Sequence, residues 1–194
     1  MNRRVVTFIV GGAVLVVSFM MVAACRSSGD LRGAGPDALA ASEEEGRLAM
    51  REAAAAVDDG LGRFLALFDT FDPAPVAEAA RGLYAEDAYF NDGFVELEGR
   101  EAIADYLARS AGHASALDIE IEEIVRSDTG VYVRWMMRFT TSGGKAVHAP
   151  GISHLRFDVA GRILYHRDYW DASGALASMV PVVGRVLEAV RKRL

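Results

Sequence analysis

The sequence predicts an α+β fold, a curved antiparallel sheet wrapped around N-terminal helices with an extra helical region at the C-terminus. Three observations carry that expectation. Apolar residues recur at three-to-four spacing before residue 84, again over 100–111, and after 172. Runs with period-two alternation follow, Leu117–Val125 and Val131–Phe139 among them. Finally, Lys145–Asp171, KAVHAPGISHLRFDVAGRILYHRDYWD, reads as two long strands joined by a tight turn.

Taken in order, the chain opens on Met1-Asn-Arg-Arg, a short positive region, and then runs uncharged from Val5 to Ala24. That stretch approaches the ~20 residues a bilayer span requires and exceeds the roughly 7–15 of an ordinary signal core. Val22-Ala23-Ala24-Cys25 resembles the cleavage box of bacterial lipoproteins, and the resemblance implies that residues 1–24 are a signal peptide. It further implies an acylated (palmitate-type) Cys25, a lipid anchor in a membrane, and a domain outside the cytoplasm. The alternative is an uncleaved anchor with an incidental cysteine. Cys25 is the single cysteine, so an intrachain disulfide and a Cys-based metal site are excluded.

Removing Arg3 and Arg4 with the leader deepens the formal net charge from −6 to −8. Such an acidic chain argues against a nucleic-acid partner, because phosphate neutralisation needs clustered Lys and Arg. Residues 25–46 are rich in Gly, Ser, Ala and acid with no apolar period, which predicts a flexible tether about 25 Å long, unless part of its C-terminal end joins the first helix.

Residues 47–194 are expected to form one domain. Met50, Ala54, Val57, Leu61, Phe64 and Phe68 give one apolar helical stripe, with Gly60 and Gly62 marking a place to bend. Asp72-Pro73 opens a second helix running to about Tyr84, Asp as N-cap and Pro at the first helical position. Glu86–Asp92 is a strand with Ala88, Phe90 and Asp92 on one face, and Phe94–Glu98 returns as a short strand. Gly99 then precedes a helix from Arg100 to about Ala111, with Ile103, Tyr106 and Leu107 buried. Ser127–Gly130 turns between the two alternating strands. In the last hairpin, Ala160 and Gly161 as the central pair of the loop place 157 opposite 164, 155 opposite 166 and 153 opposite 168. One face then carries Ser153, Leu155, Phe157, Leu164, His166, Asp168 and Trp170, the other His154, Arg156, Asp158, Ile163, Tyr165, Arg167 and Tyr169. Leu176, Val180, Val183, Leu187, Val190 and Leu194 predict the C-terminal helical region over 172–194, kinked or restarted at Pro181.

Leu83–Asp92 resembles the opening motif of the NTF2-like superfamily, Gly99-Arg100-Glu101-Ala102-Ile103 its helix start, and GISHLRFDVAGRILYHRDYWD its closing hairpin. The superfamily includes ketosteroid isomerases, SnoaL-type polyketide cyclases, limonene epoxide hydrolase and non-catalytic members. It implies a cone with an apolar pocket between sheet and helices. Asp92 falls at the position of the isomerase general base, although Asn91-Asp92-Gly93 also reads as a turn. The isomerase tyrosine and protonated acid correspond to Phe64 and Ser153, which disfavours isomerase chemistry, since a lost oxyanion donor costs 10²–10³ in rate. The resemblance to the cyclases makes Asp168 the acid/base, beside His166. The competing readings are an Asp168 salt bridge to Arg134, Arg138 or Arg167, and His166 as a core histidine.

His154 points outward in this register. His148 precedes Ala149-Pro150-Gly151, where a bulge is expected and its direction stays open. A metal set of His148, His166 and Asp168 has no spacing motif behind it, and neither metal nor cofactor is expected. Phe64, Phe90, Trp135, Ser153, Leu155 and Trp170 are the expected ligand-binding lining. The sequence therefore points to a membrane-anchored domain that binds a small apolar ligand or a protein partner without catalysis. The alternative is a cofactor-independent acid/base enzyme using Asp168 with Asp92 or His166. A homodimer through the sheet is a further expected association.

Overall fold

The computed structural model describes residues 34–68, 72–113, 118–140 and 146–171. The leader, Cys25 and the helical region expected over 172–194 lie outside the described residues. Helices α1 (Gly35–Ala41), α2 (Glu43–Glu52), α3 (Ala54–Ala66) and α4 (Pro73–Leu83) come first. Strands β1 (Tyr84–Asn91) and β2 (Glu96–Glu98), helix α5 (Arg100–His113), and strands β3 (Asp118–Arg126), β4 (Val131–Thr140), β5 (Ala146–Phe157) and β6 (Ile163–Trp170) follow. The six strands make one sheet in the order β2-β1-β6-β5-β4-β3.

Neighbours joined by hairpins pair antiparallel, as short connections require, but β1 and β6 pair parallel. The expected antiparallel sheet is therefore mixed at that seam. Everything from β2 to β5 lies between those two strands in sequence, and a connection that long imposes no antiparallel order.

The last hairpin departs from expectation only near its turn. The connection is a five-residue loop, not a two-residue one, and the Asp158 carboxylate closes it. Oδ1 accepts the N–H groups of Ala160 (2.9 Å) and Arg162 (2.8 Å), and Oδ2 accepts Arg162 Nε (2.7 Å). Gly161 takes φ 72°, a left-handed conformation that glycine adopts without a Cβ penalty. The longer loop shifts register by one residue, so Phe157 faces Ile163 instead of Leu164, and both are core residues. Beyond this bulge Leu155 faces His166 and Ser153 faces Asp168, as expected.

Pro150 and Gly151 cause no bulge. The β4–β5 pairing runs unbroken from Val131–Leu155 to Thr140–Ala146. β6 joins β5 only from Gly151 on, so Pro150 lies beyond the β6 ladder and its missing N–H costs no bond there. Gly151 is needed for a close approach, because a Cβ would collide with the Trp135 ring.

The helices hold two further corrections. Residues 35–46, the C-terminal half of the expected tether, are helical, occupied by α1 and the start of α2. Arg156 reaches from β5 to the Leu39 carbonyl and to Ser42 Oγ (3.2 Å), so its cation meets the C-terminal end of α1. Gly35 sits against the Tyr89 hydroxyl and Arg167, and Gly46 against the Thr129 carbonyl. Polar clasps and small residues hold this segment, and hydrophobic periodicity does not detect them. The chain also breaks at Ala53 (φ −130°, ψ 34°) and not at Gly60. Gly60 is a contact point instead, since a Cβ there would strike the Gly161 carbonyl in the hairpin turn. Val57, Leu61 and Phe64 of α3 pack into one core with Leu83, Ile103, Leu155, Phe157 and Ile163.

Candidate functional site

Period-two alternation on β6 delivers His166, Asp168 and Trp170 to the face that meets the helices, and β5 places Ser153 directly opposite Asp168. His166 is buried, with the Phe90 ring edge-on at 4.9 Å, the Phe64 ring edge-on at 5.3 Å and the Tyr84 ring stacked at 6.1 Å. Its Nδ1 lies 2.7 Å from the Tyr84 hydroxyl and its Nε2 2.9 Å from Asp168 Oδ1. The same Oδ1 accepts the Ser153 hydroxyl at 2.6 Å, and Ser153 Oγ in turn accepts Trp135 Nε1–H at 2.9 Å. The other oxygen of Asp168 has no partner among the described residues, and the side chain is 17% exposed.

No described arginine pairs with Asp168. Arg134 pairs with Glu122 and Glu123, Arg138 with Asp118 and Glu120, and Arg167 lies over the Tyr169 ring. The salt-bridge reading of Asp168 is therefore replaced by a network of uncharged donors and an imidazole.

A second carboxylate, Asp92, closes the turn after β1. Its Oδ1 accepts the backbone N–H groups of Phe94 (2.9 Å) and Val95 (3.0 Å), and its Oδ2 accepts the Tyr106 hydroxyl from α5. Asp92 thus shapes the turn, as one sequence reading expects, while its second oxygen meets a helix side chain. Burial pushes its carboxyl above the ordinary range, the three hydrogen bonds pull it back, and the negative charge of Asp168 pushes it up again. Trp170 links the two carboxylates' elements by donating Nε1–H to the Asp92 carbonyl at 2.7 Å, with Phe94 edge-on at 5.3 Å.

Residues 61–166 match the profile of the SnoaL-like domain. The chain belongs to the SnoaL-like family.

Solved structures agree on the NTF2-like fold of this SnoaL-like domain. A provisionally assigned SnoaL-like polyketide cyclase from Jannaschia sp. CCS1 is 14% identical, with a TM-score of 0.53, covering 62% of this chain and 90% of its own. A protein of ketosteroid isomerase-like fold from Catenulispora acidiphila, in complex with trimethylamine, is 19% identical with a TM-score of 0.51, covering 60% and 90%. A provisionally assigned isomerase of the SnoaL-like family from Agrobacterium tumefaciens is 16% identical with a TM-score of 0.50, covering 61% and 99%. Identities this low speak for the fold alone. No curated protein matches the chain.

Asp168, His166 and Ser153 meet in one network, and Trp135 and Trp170 border it. Phe64, Phe90 and Leu155 are fully buried, the first two packed against His166. His148 is exposed opposite Arg138, and no three His, Asp or Glu side chains gather for a metal among the described residues.

His154 lies on the outer face, as its parity predicts, but it is buried. It is stacked on Tyr132 at 4.3 Å with the Tyr165 ring edge-on at 5.3 Å. Burial, then the Arg156 guanidinium, lower its pKa to about 4.

The sequence reading missed Tyr84, taken as a helix end, and the bond from Tyr106, taken as a plain core contact. Their polarity was the available signal, because a buried tyrosine hydroxyl needs a partner. Burial pushes both phenols well above their ordinary range, so each stays a donor.

Proposed function

We propose that this SnoaL-like domain is a cofactor-independent acid/base enzyme acting on a small, largely apolar carbonyl compound. The observation that carries the reading is the state of Asp168. One oxygen is fixed by Ser153 and His166, and among the described residues the other has no partner and no arginine is paired with it. A positioned carboxylate with a free lone pair suits removal of a proton beside a carbonyl, a contribution of typically 10²–10⁴ in rate. Asp92 assists electrostatically, since both of its oxygens are already occupied.

One observation favours the non-catalytic reading. The rings around His166 are packed edge-on and stacked, which suits a core that only shapes a binding surface.

Deuterium uptake separates the two readings. A panel of bound aromatic and alicyclic ketones is held with the protein in D₂O, and exchange at the α-carbon is followed by mass. The enzyme reading expects exchange by the wild type that falls at least about 10²-fold in Asp168→Asn. Binding without exchange sinks it in favour of a binding domain.

We also propose that Cys25 is acylated and anchors the domain in the cell envelope. Docked α1 leaves residues 26–34 between the lipid and the sheet, at most about 35 Å when fully extended. A homodimer through the sheet would have to use the part of the outer face that α1 leaves open, where Ile152 and Tyr169 are exposed.

A further inference from the structure

Every hydrogen bond around Asp168 has a direction that donor chemistry fixes. An indole N–H can only donate, so Ser153 Oγ accepts from Trp135 and must send its own proton to Asp168 Oδ1. His166 offers the same oxygen its Nε2 and offers the Tyr84 hydroxyl its Nδ1. With the proton on Nε2, both contacts are satisfied, since Nε2–H donates to Asp168 and Nδ1 accepts the Tyr84 O–H. With the proton on Nδ1, the Nε2 lone pair faces a carboxylate oxygen. Tyr84 must then turn to accept, and its hydroxyl proton is left without a partner at a fully buried position. A doubly protonated ring strands the same proton.

We infer that His166 is held as the neutral Nε2–H tautomer by Tyr84, and that both are positioning residues. The proton chemistry of the site then belongs to Asp168 Oδ2 alone. Trp135, Ser153, Tyr84 and His166 all direct their protons toward Oδ1, so His166 has no lone pair left to take one from a ligand. This rests on the acid/base reading and removes His166 from the catalytic role the sequence suggested for it. Tyr84 becomes a determinant of the site although its ring never reaches the surface.

The test is ¹⁵N–¹H correlation spectroscopy of the histidine rings at neutral pH, with His166 assigned through its contacts to Phe64 and Phe90. The expected spectrum shows a protonated Nε2 and a hydrogen-bonded imine Nδ1. A protonated Nδ1, alone or together with Nε2, overturns the inference. In Tyr84→Phe the Nδ1 resonance should move toward the free-imine position while Nε2–H persists, and an unmoved resonance removes Tyr84 from the account. If that variant does not fold, the wild-type spectrum decides, because an Nδ1 already at the free-imine position is equally fatal. The measurement needs no substrate. An Nε2–H tautomer without α-carbon exchange leaves this inference standing and ends the enzyme reading; exchange with a doubly protonated ring does the reverse.

Discussion

The two faces of β5 and β6 bury two histidines under opposite terms. On the inner face, His166 has a partner at each ring nitrogen. On the outer face, His154 Nε2 is buried with none among the described residues, and Arg156 Nε and Tyr165 Oη share that condition. The inner network is closed and directional, whereas the outer face is covered by a short helix held through backbone carbonyls and small residues. Burial by itself therefore does not identify a site. The distinction lies in whether the buried groups satisfy each other, since an unpartnered polar group costs about 1–3 kcal/mol and a closed network costs little. The outer face bears a cost to dock α1, and the inner face holds a carboxylate in one orientation.

The largest expected effect tests that contrast at adjacent residues. Leu155→Asp places a charge in the fully buried core and should abolish cooperative unfolding, because an uncompensated buried charge costs several kcal/mol against a total of about 5–15. Arg156 lies on the outward face by parity, yet it is buried and clasps α1. Arg156→Met keeps the apolar stem and loses the clasp. It should cost about 1–3 kcal/mol and admit protease cleavage near Leu39, with the rest of the domain intact. Equal tolerance of Leu155→Asp and Arg156→Met in chemical denaturation would mean that the faces are wrongly assigned.

The inner face was legible because alternation fixes parity. Ser153, His166 and Asp168 fall together once Gly161 locates the turn, even with the loop three residues longer than expected, since the bulge absorbs the difference before Leu155. The parallel seam between β1 and β6 was not legible, because no local pattern encodes which distant strand a strand will join. Nor was α1, whose contacts are a guanidinium on a carbonyl and Gly35 pressed against the Tyr89 hydroxyl and Arg167. Tyr84 and Tyr106 were visible as residues but not as donors. Their partners come from other elements, and only the assembled fold brings them within reach.

A smaller effect follows from His154. Its folded-state pKa of about 4 lies below the unfolded value of about 6.5, so the unfolded chain binds the proton first. Stability should then decline as pH falls from about 6.5 towards 4 and change no further on this account below that. The bound is about 3 kcal/mol, reduced by whatever solvent reaches the ring. Asp92 works in the opposite sense, because its raised carboxyl favours the folded state as acid is added. The measurement is therefore the difference between wild type and His154→Phe in denaturation midpoint from pH 7 to 4.5. The variant retains the stack on Tyr132 and should lose part of the decline; identical curves would show that the outer-face histidine is not held neutral by burial.

The smallest expected change in stability belongs to the residue with the largest expected role. Asp168→Asn retains an Oδ1 that can accept both Ser153 and His166, and the amide nitrogen takes the place of the oxygen that has no described partner. The change weakens two charge-assisted bonds and removes a partly buried charge, terms of similar size and opposite sign, so stability should move by no more than about 1 kcal/mol. Asp92→Asn provides the contrast. Its second oxygen receives the Tyr106 hydroxyl, and an amide nitrogen there faces a donor with a donor, which should cost about 1–3 kcal/mol. A carboxylate needed for folding and a carboxylate free for chemistry thus separate in one thermal-denaturation experiment on two isosteric variants. If Asp168→Asn proves the more damaging, the free oxygen has a partner in the intact protein, and Asp168 is structural.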